Sequence, residues 1–194
     1  FRRLIDTFRE VRQQKHIFLY LLAFFFFIDG VYTIIDMATA YGSALGLDTQ
    51  GLLVALLVTQ IVAFPSALVF ASLARKINNA KLIQICILAY TGIAIFAIQL
   101  DKQWEFWVLA VCVGLFQGGI QALSRSYFAQ IIPPENAGEF FGLFDICGKG
   151  AAFLGTALVS VTAQISGSAN GAIAILAVMF VIGLVLFNRA LRAE

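Results

Sequence analysis

The feature that most restricts this sequence is a series of six apolar runs, each about 20 residues long. The runs begin near Ile17, Leu52, Leu82, Phe106, Phe140 and Ala172. A helix of about 20 residues rises ~30 Å, the thickness of the hydrocarbon core of a bilayer. Six such spans nearly use up the 194 residues and leave no room for a soluble catalytic domain. We therefore expect an all-α integral membrane protein, a bundle of six transmembrane helices.

Basic residues alternate between the loops. They precede the first span, follow the second and follow the sixth: Arg2, Arg3, Arg9, Arg12, Lys15, Arg75, Lys76, Lys81, Arg189 and Arg192. The loops on the other side hold only Lys102. Because positively charged loops stay in the cytoplasm, we expect an even number of spans with both termini cytoplasmic, in a bacterial inner membrane.

The first 15 residues differ from the rest of the chain. Apolar residues recur there with the spacing of one helical face, and arginines occupy the other faces: Phe1, Leu4, Ile5, Phe8 and Val11. This pattern predicts a basic amphipathic helix on the cytoplasmic membrane surface over residues 1–15, followed by a six-helix domain over 16–194. The surface helix and the lack of an initiator Met suggest the second part of a longer protein.

Ionisable side chains inside the spans are the main candidates for function, because each costs about 2.5–3.5 kcal/mol at the centre of a membrane helix. On the first span, Asp29, Tyr32, Thr33 and Asp36 form one polar stripe. Asp29 is expected near the midplane, either facing a cavity, where it can carry a proton or bind a cationic group, or paired structurally to a neighbouring helix. Asp36 is expected nearer the outer mouth, where a solvated residue is the simpler interpretation.

A second polar set is predicted on spans four and five. Gln117, Gln121 and Arg125 share one face of span four, and Asp145 and Lys149 are four residues apart on span five, an arrangement that favours a helical ion pair. A hairpin about the "PPENAG" turn brings Arg125 level with Asp145. Such a charge set suits a gate whose partners exchange, and it equally suits a static brace.

No cofactor, metal site or catalytic centre is expected. The three cysteines, Cys86, Cys112 and Cys147, are scattered singly over different spans, and the one histidine, His16, lies at a membrane boundary. An intramembrane aspartyl protease is disfavoured, because Asp29 and Asp36 lie about 10 Å apart along one helix and cannot share a proton.

Three segments resemble a known family: "AFFFFIDGVYTI", "LVTQIVAFPSALVF" and the stretch 105–155, which begins "EFWVLAVC". Their most specific groups are Asp29-Gly30, Ser124-Arg125-Ser126 and Phe140-Phe141-Gly142. The sequence resembles the C-terminal half of the vacuole-effluxer-like family of major facilitator superfamily (MFS) transporters. The resemblance implies that the six spans are helices 7 to 12 of a twelve-helix transporter. It also implies that spans one and four line the central cavity, and that span five borders the missing half.

The leading hypothesis is half of a secondary transporter, a permease that moves a small polar solute, with amino acids as first candidates, by alternating access. The expected cavity residues are Asp29, Tyr32, Asp36, Gln117 and Gln121, and the expected gating or coupling charges are Arg125, Asp145 and Lys149. Expected partners are the solute, a coupling proton or ion, membrane lipid, and either an N-terminal half or a second copy of the chain; nucleic acid is not expected. The alternative is a non-transporting scaffold or sensor. The substrate, coupling ion and direction of transport stay open.

Overall fold

The computed structural model describes residues 2–44, 46, 48–100, 102–167 and 169–193. Within these ranges the side chains of residues 2–6, 44, 166, 169, 170 and 172 are not described, so the predicted face of Phe1, Leu4 and Ile5 lies outside the described residues. The helices are α1 (Arg2–Gln13), α2 (Lys15–Ala44), α3 (Thr49–Leu73), α4 (Asn79–Ile98), α5 (Gln103–Ile131), α6 (Ala137–Ser166) and α7 (Ala169–Leu191). Six of them, α2 to α7, are long and apolar enough to cross a membrane, as the apolar runs predict.

The helix ends follow from local chemistry. The Asp48 side chain accepts a hydrogen bond from the Gly51 amide at 2.8 Å at the start of α3, and Asn78 does the same for Ala80 at the start of α4. A short 3-10 turn, Pro134–Asn136, separates α5 from α6, because proline cannot continue a helix. The helix α6 ends at Gly167, whose φ of 64° is readily adopted only by glycine.

The six spans pack in an order that leaves α3 and α6 at opposite edges. The most extensive packing joins α3 to α5 and α2 to α7, and further interfaces join α4 to α7, α2 to α6, and α4 to α5. In contrast, α5 and α6 make little direct backbone contact, although they follow each other in the chain. The result is an open side of the bundle with α5 on one flank, α6 on the other and α2 behind them.

Glycines on α5 allow α3 to pack closely against it. A Cβ at Gly114 would lie 2.7 Å from the Thr59 carbonyl oxygen, and one at Gly118 would lie 2.8 Å from the Ala63 carbonyl oxygen, so only glycine permits α3 to approach this closely. The Thr59 hydroxyl donates across the interface to the Ala110 carbonyl at 3.1 Å. The Ser66 hydroxyl, one residue after Pro65, donates to the Leu115 carbonyl.

The amphipathic helix α1 docks onto the bundle. Val11 and Thr7 are buried, and the Thr7 hydroxyl donates a hydrogen bond to Glu139 at the start of α6 at 2.9 Å. Arg9 and Arg12 remain exposed. The helix thus contacts both α2 and α6, and it marks one end of the bundle, called here the α1 end.

Candidate functional site

An open cleft runs between α2, α5 and α6 on the open side of the bundle. It consists of two adjoining lobes of about 400 and 470 Å³ that share Phe24, Tyr32, Arg125 and Phe144. Its remaining lining residues are Ile28, Asp36, Gly118, Gln121, Ala122, Asp145, Gly148, Lys149 and Ala152. Among the described residues, this cleft brings together charges of both signs from three helices.

Arg125 and Asp145 join α5 to α6 across the cleft. Arg125 Nη2 donates to Asp145 Oδ1 at 2.6 Å, which confirms the contact predicted from helical register about the "PPENAG" turn. The two side chains remain 60% and 49% exposed, respectively. An exposed ion pair of this kind contributes about 0–1 kcal/mol. While water fills the cleft, the pair therefore separates at low cost, whereas a pair cut off from water would hold the two helices together.

Aromatic rings hold Arg125 on its other side. Its guanidinium carbon lies 5.9 Å from the centroid of the Phe141 ring and 5.8 Å from that of Phe144, within the range of a cation–π contact. Phe144 also stacks on Phe24 of α2, with ring centroids 4.0 Å apart. The sequence-based interpretation missed these rings. Phe141 lies four residues before Asp145 and therefore shares its side of α6, which was an available signal for that ring.

Lys149 and Asp36 line the same lobe of the cleft and both are exposed. The ion pair expected between Lys149 and Asp145 is absent from the described residues, where Asp145 pairs with Arg125 instead. Lys149 therefore presents a positive charge to the cleft without an ion-pair partner in the described part of the chain. Asp36, expected near the outer mouth, presents a negative charge to the same lobe, and the half-buried Tyr32 lies between the two lobes.

The two glutamines predicted for the cavity are in different positions. Gln121 lines the lobe next to Arg125. Gln117, one turn further from the α1 end, is half-buried outside both lobes, and its side-chain oxygen has no hydrogen-bond partner. The structure thus brings Tyr32, Asp36, Gln121, Arg125, Asp145 and Lys149 together and leaves Gln117 beside them.

Asp29 lies behind the cleft. Its side chain is fully buried, and it belongs to the lining of neither lobe. The Thr33 hydroxyl donates to Asp29 Oδ1 at 3.4 Å, and the backbone of α6 at Gly155 lies against the same carboxylate. A role for Asp29 in solute binding stays a prediction, since in this conformation its carboxylate has no exposed surface that a solute can reach.

Comparisons with known proteins identify the family of the chain. The family model for "Vacuole effluxer Atg22 like" proteins matches residues 1–192. The chain belongs to the vacuole effluxer Atg22-like family. A Bacillus subtilis relative described as an uncharacterized MFS-type transporter, YxiO, is 45% identical over 186 residues, which are 96% of this chain and 44% of that protein.

Fungal members of the family are more distant. Autophagy-related protein 22 of Saccharomyces cerevisiae is 32% identical over 168 residues, covering 80% of this chain and 32% of the yeast protein. Autophagy-related protein 22-2 of Aspergillus clavatus is 28% identical over 186 residues, covering 88% of this chain and 30% of its own length. The chain thus spans less than half the length of the curated relatives that it matches.

Proposed function

We propose that this chain is the C-terminal half of a secondary transporter that moves a small zwitterionic solute, with amino acids as the first candidates. The single observation that supports this most is the cleft, which offers charges of both signs from α2, α5 and α6 on the open side of the bundle. Membership in a family with an MFS-type transporter among its members supports a transport role for the cleft. Both termini would be cytoplasmic, and an N-terminal half would cover the open side.

The charges of the cleft suit a solute that carries both signs. The Arg125–Asp145 pair is internally balanced, which leaves Lys149 to attract a carboxylate and Asp36 to attract an ammonium group. Hydrogen bonds to charged groups contribute about 1.5–3 kcal/mol, enough to select a zwitterion over a neutral solute of the same size. Tyr32 and Phe144 provide an apolar wall for the rest of the solute.

We assign the gating role to the Arg125–Asp145 pair, which joins α5 to α6. When a carboxylate enters the cleft, it competes with Asp145 for the Arg125 guanidinium. The cost of exchanging the partner is small because both side chains are substantially exposed. We propose that solute occupancy and the α5–α6 contact are linked in this way, so that Arg125, Asp145 and Lys149 act as gating charges.

Uptake by the intact protein in proteoliposomes tests this function. The experiment measures accumulation of radiolabelled amino acids by the wild type, by Lys149→Met and by the matched control Lys76→Met, which removes an exposed lysine between α3 and α4. Lys149→Met is expected to lower uptake at least about tenfold, since loss of one charged contact of ~1.5 kcal/mol corresponds to that factor. Lys76→Met should stay close to wild type.

Two results would contradict the proposal. If Lys149→Met transports amino acids as fast as the wild type, the cleft does not bind the solute through this charge. If the wild-type protein binds amino acids but carries none across the vesicle membrane, the protein is a sensor or scaffold, which is the alternative left open by the sequence.

A further inference from the structure

The most unusual group in the bundle is the Asp29 carboxylate. It is fully buried in the middle of α2, at a place where α2 packs against α6. Oδ1 accepts the 3.4 Å hydrogen bond from Thr33, whereas Oδ2 has no partner. A buried carboxylate oxygen without a donor is costly, and native structures keep such groups rarely and usually for a function.

Gly155 makes room for this carboxylate. A Cβ atom at Gly155 would collide with Asp29 Oδ1 and with the Thr33 hydroxyl. The carboxylate is therefore pressed against the backbone of α6, and any side chain at position 155 would force α6 away from α2. The three residues Asp29, Thr33 and Gly155, called here the buried carboxyl site, form one unit that depends on the closeness of the two helices.

No cation neutralises Asp29 among the described residues. Besides Asp29, the described charged and titratable side chains on α2 and on the helices packed against it are Arg9, Glu10, Arg12, Lys15, His16, Tyr20, Tyr32, Asp36, Tyr41, Glu105, Cys112, Arg125, Tyr127, Glu139, Asp145, Cys147, Lys149 and Arg189. Of these, Arg125 is paired with Asp145, and Lys149 lines the cleft, to which Asp29 does not belong. Among the described residues, the buried carboxyl site therefore has no ion pair with a charge of the cleft.

The other side of the site is apolar. A cavity of about 160 Å³ lies towards the end of the bundle opposite α1, and Thr33 is at its boundary with the carboxyl site. Its walls are mainly aliphatic and aromatic, including Ile34, Met37, Phe106 and Leu176. Such walls offer almost no polar partners that could hold ordered water. Asp29 therefore has no polar route to water on this side.

A metal cation does not suit the site. Hard cations take about six or more oxygen ligands, whereas the side chains described here supply only the Asp29 carboxylate and the Thr33 hydroxyl. A proton needs a single oxygen, and the unpartnered Oδ2 provides it. An ionised carboxylate in this position would cost several kcal/mol, and the neutral carboxyl avoids most of that cost.

We propose that the buried carboxyl site is a proton-binding site that couples transport to a pH gradient, with Asp29 protonated while α2 and α6 are packed at Gly155. When the helices separate there, water reaches Asp29 and the O–H bond breaks to give the carboxylate and a proton in solution. Re-packing requires the carboxylate to take up a proton first. The proton site is thus distinct from the solute cleft. This proposal rests on the proposed function, because a proton can be coupled to transport only if the protein transports a solute.

Two assays on the intact protein separate this proposal from the function itself. Solute counterflow, an exchange that needs no net proton movement, and accumulation driven by an imposed pH gradient are measured for wild type and for Asp29→Asn. The variant is expected to lose pH-driven accumulation, while counterflow persists. If the pH gradient still drives solute accumulation by Asp29→Asn, the proton site is overturned, whereas the proposed transport function is retained. If wild-type accumulation follows a sodium gradient and ignores pH, the site is likewise overturned.

Infrared difference spectroscopy tests the site without any solute. The proposal predicts that the wild-type protein shows the C=O stretch band of a protonated carboxyl group. It also predicts that Asp29→Asn lacks this band. Asp36→Asn is the matched control on the same helix, since Asp36 is exposed, and it should leave the band in place. A wild-type spectrum without the band, or a band that survives in Asp29→Asn, would overturn the proposal even if amino acids prove to be the wrong solute.

Discussion

Two neighbouring lengths of the helix α5 have contrasting surroundings. The length around Gly114 and Gly118 packs so closely against α3 that a methyl group does not fit. The length around Gln121 and Arg125, nearer the α1 end, borders an open cleft, where one exposed ion pair is the side-chain bridge to α6 described here. The first interface is held by shape, and the second is held by charge in contact with water. From this difference we expect α3 and α5 to move as one body and the α5–α6 contact to open more easily.

The largest expected effect comes from Gly114→Val, which breaks the close interface. The added Cβ would lie 2.7 Å from the Thr59 carbonyl oxygen, so α3 must shift. Overpacking of this kind costs about 1–3 kcal/mol, which thermal or denaturant unfolding in detergent can measure. Gly142→Val in α6 is the control, because a Cβ there meets nothing within 4 Å. Equal destabilisation by both variants would mean that the α3–α5 contact is not the rigid part of the bundle.

A smaller effect is expected from Thr59→Val, which removes one hydrogen bond from the same interface. The Ala110 carbonyl loses the hydroxyl that donates at 3.1 Å, while the shape of the side chain is nearly kept. Interhelical hydrogen bonds in membranes average about 0.6 kcal/mol, so the free energy of unfolding should fall by about that amount. Thr91→Val is the comparison, since that hydroxyl bonds only within its own helix, to Ile87. A loss above ~2 kcal/mol at Thr59 would show that polar contacts, rather than glycine shape, hold α3 to α5.

The smallest effect on stability is expected at the Arg125–Asp145 pair. A double-mutant cycle of Arg125→Ala, Asp145→Ala and the double variant should give a coupling free energy of at most about 1 kcal/mol, because both side chains are exposed. Transport should nevertheless fall in each single variant. A coupling free energy well above this value would identify the pair as a static brace and would contradict a gating role.

The sequence predicts well those features of this structure that depend only on position along a helix or on either side of one turn. Span number follows from helical rise and bilayer thickness, and the Arg125–Asp145 contact follows from counting residues on either side of one turn. The helix that packs against the α5 glycines does not follow from the sequence in this way. Gly114 and Gly118 indicate that some helix approaches closely, but the choice of α3 depends on how all six helices pack.

The sequence leaves open what surrounds each position along one stripe of a helix. Asp29 and Asp36 are seven residues apart on one stripe, and yet one is fully buried and the other lines the cleft. The burial of Asp29 depends on Gly155 of α6, which lies 126 positions away in the chain, and no spacing rule connects the two. Likewise, the i, i+4 spacing of Asp145 and Lys149 favours a pair that does not form, because Arg125 competes from another helix.

The most direct test of the account is protection of the cleft by solute. In the intact protein, with Cys86, Cys112 and Cys147 replaced by Ala, a cysteine at Ala122 lines the cleft, and a cysteine at Lys76 lies on an exposed loop. Addition of the transported amino acid is predicted to slow the reaction of a water-soluble maleimide with the thiol at position 122 and to leave the thiol at position 76 unaffected. Equal labelling rates at position 122 with and without solute would contradict the claim that the cleft between α2, α5 and α6 is where the solute binds.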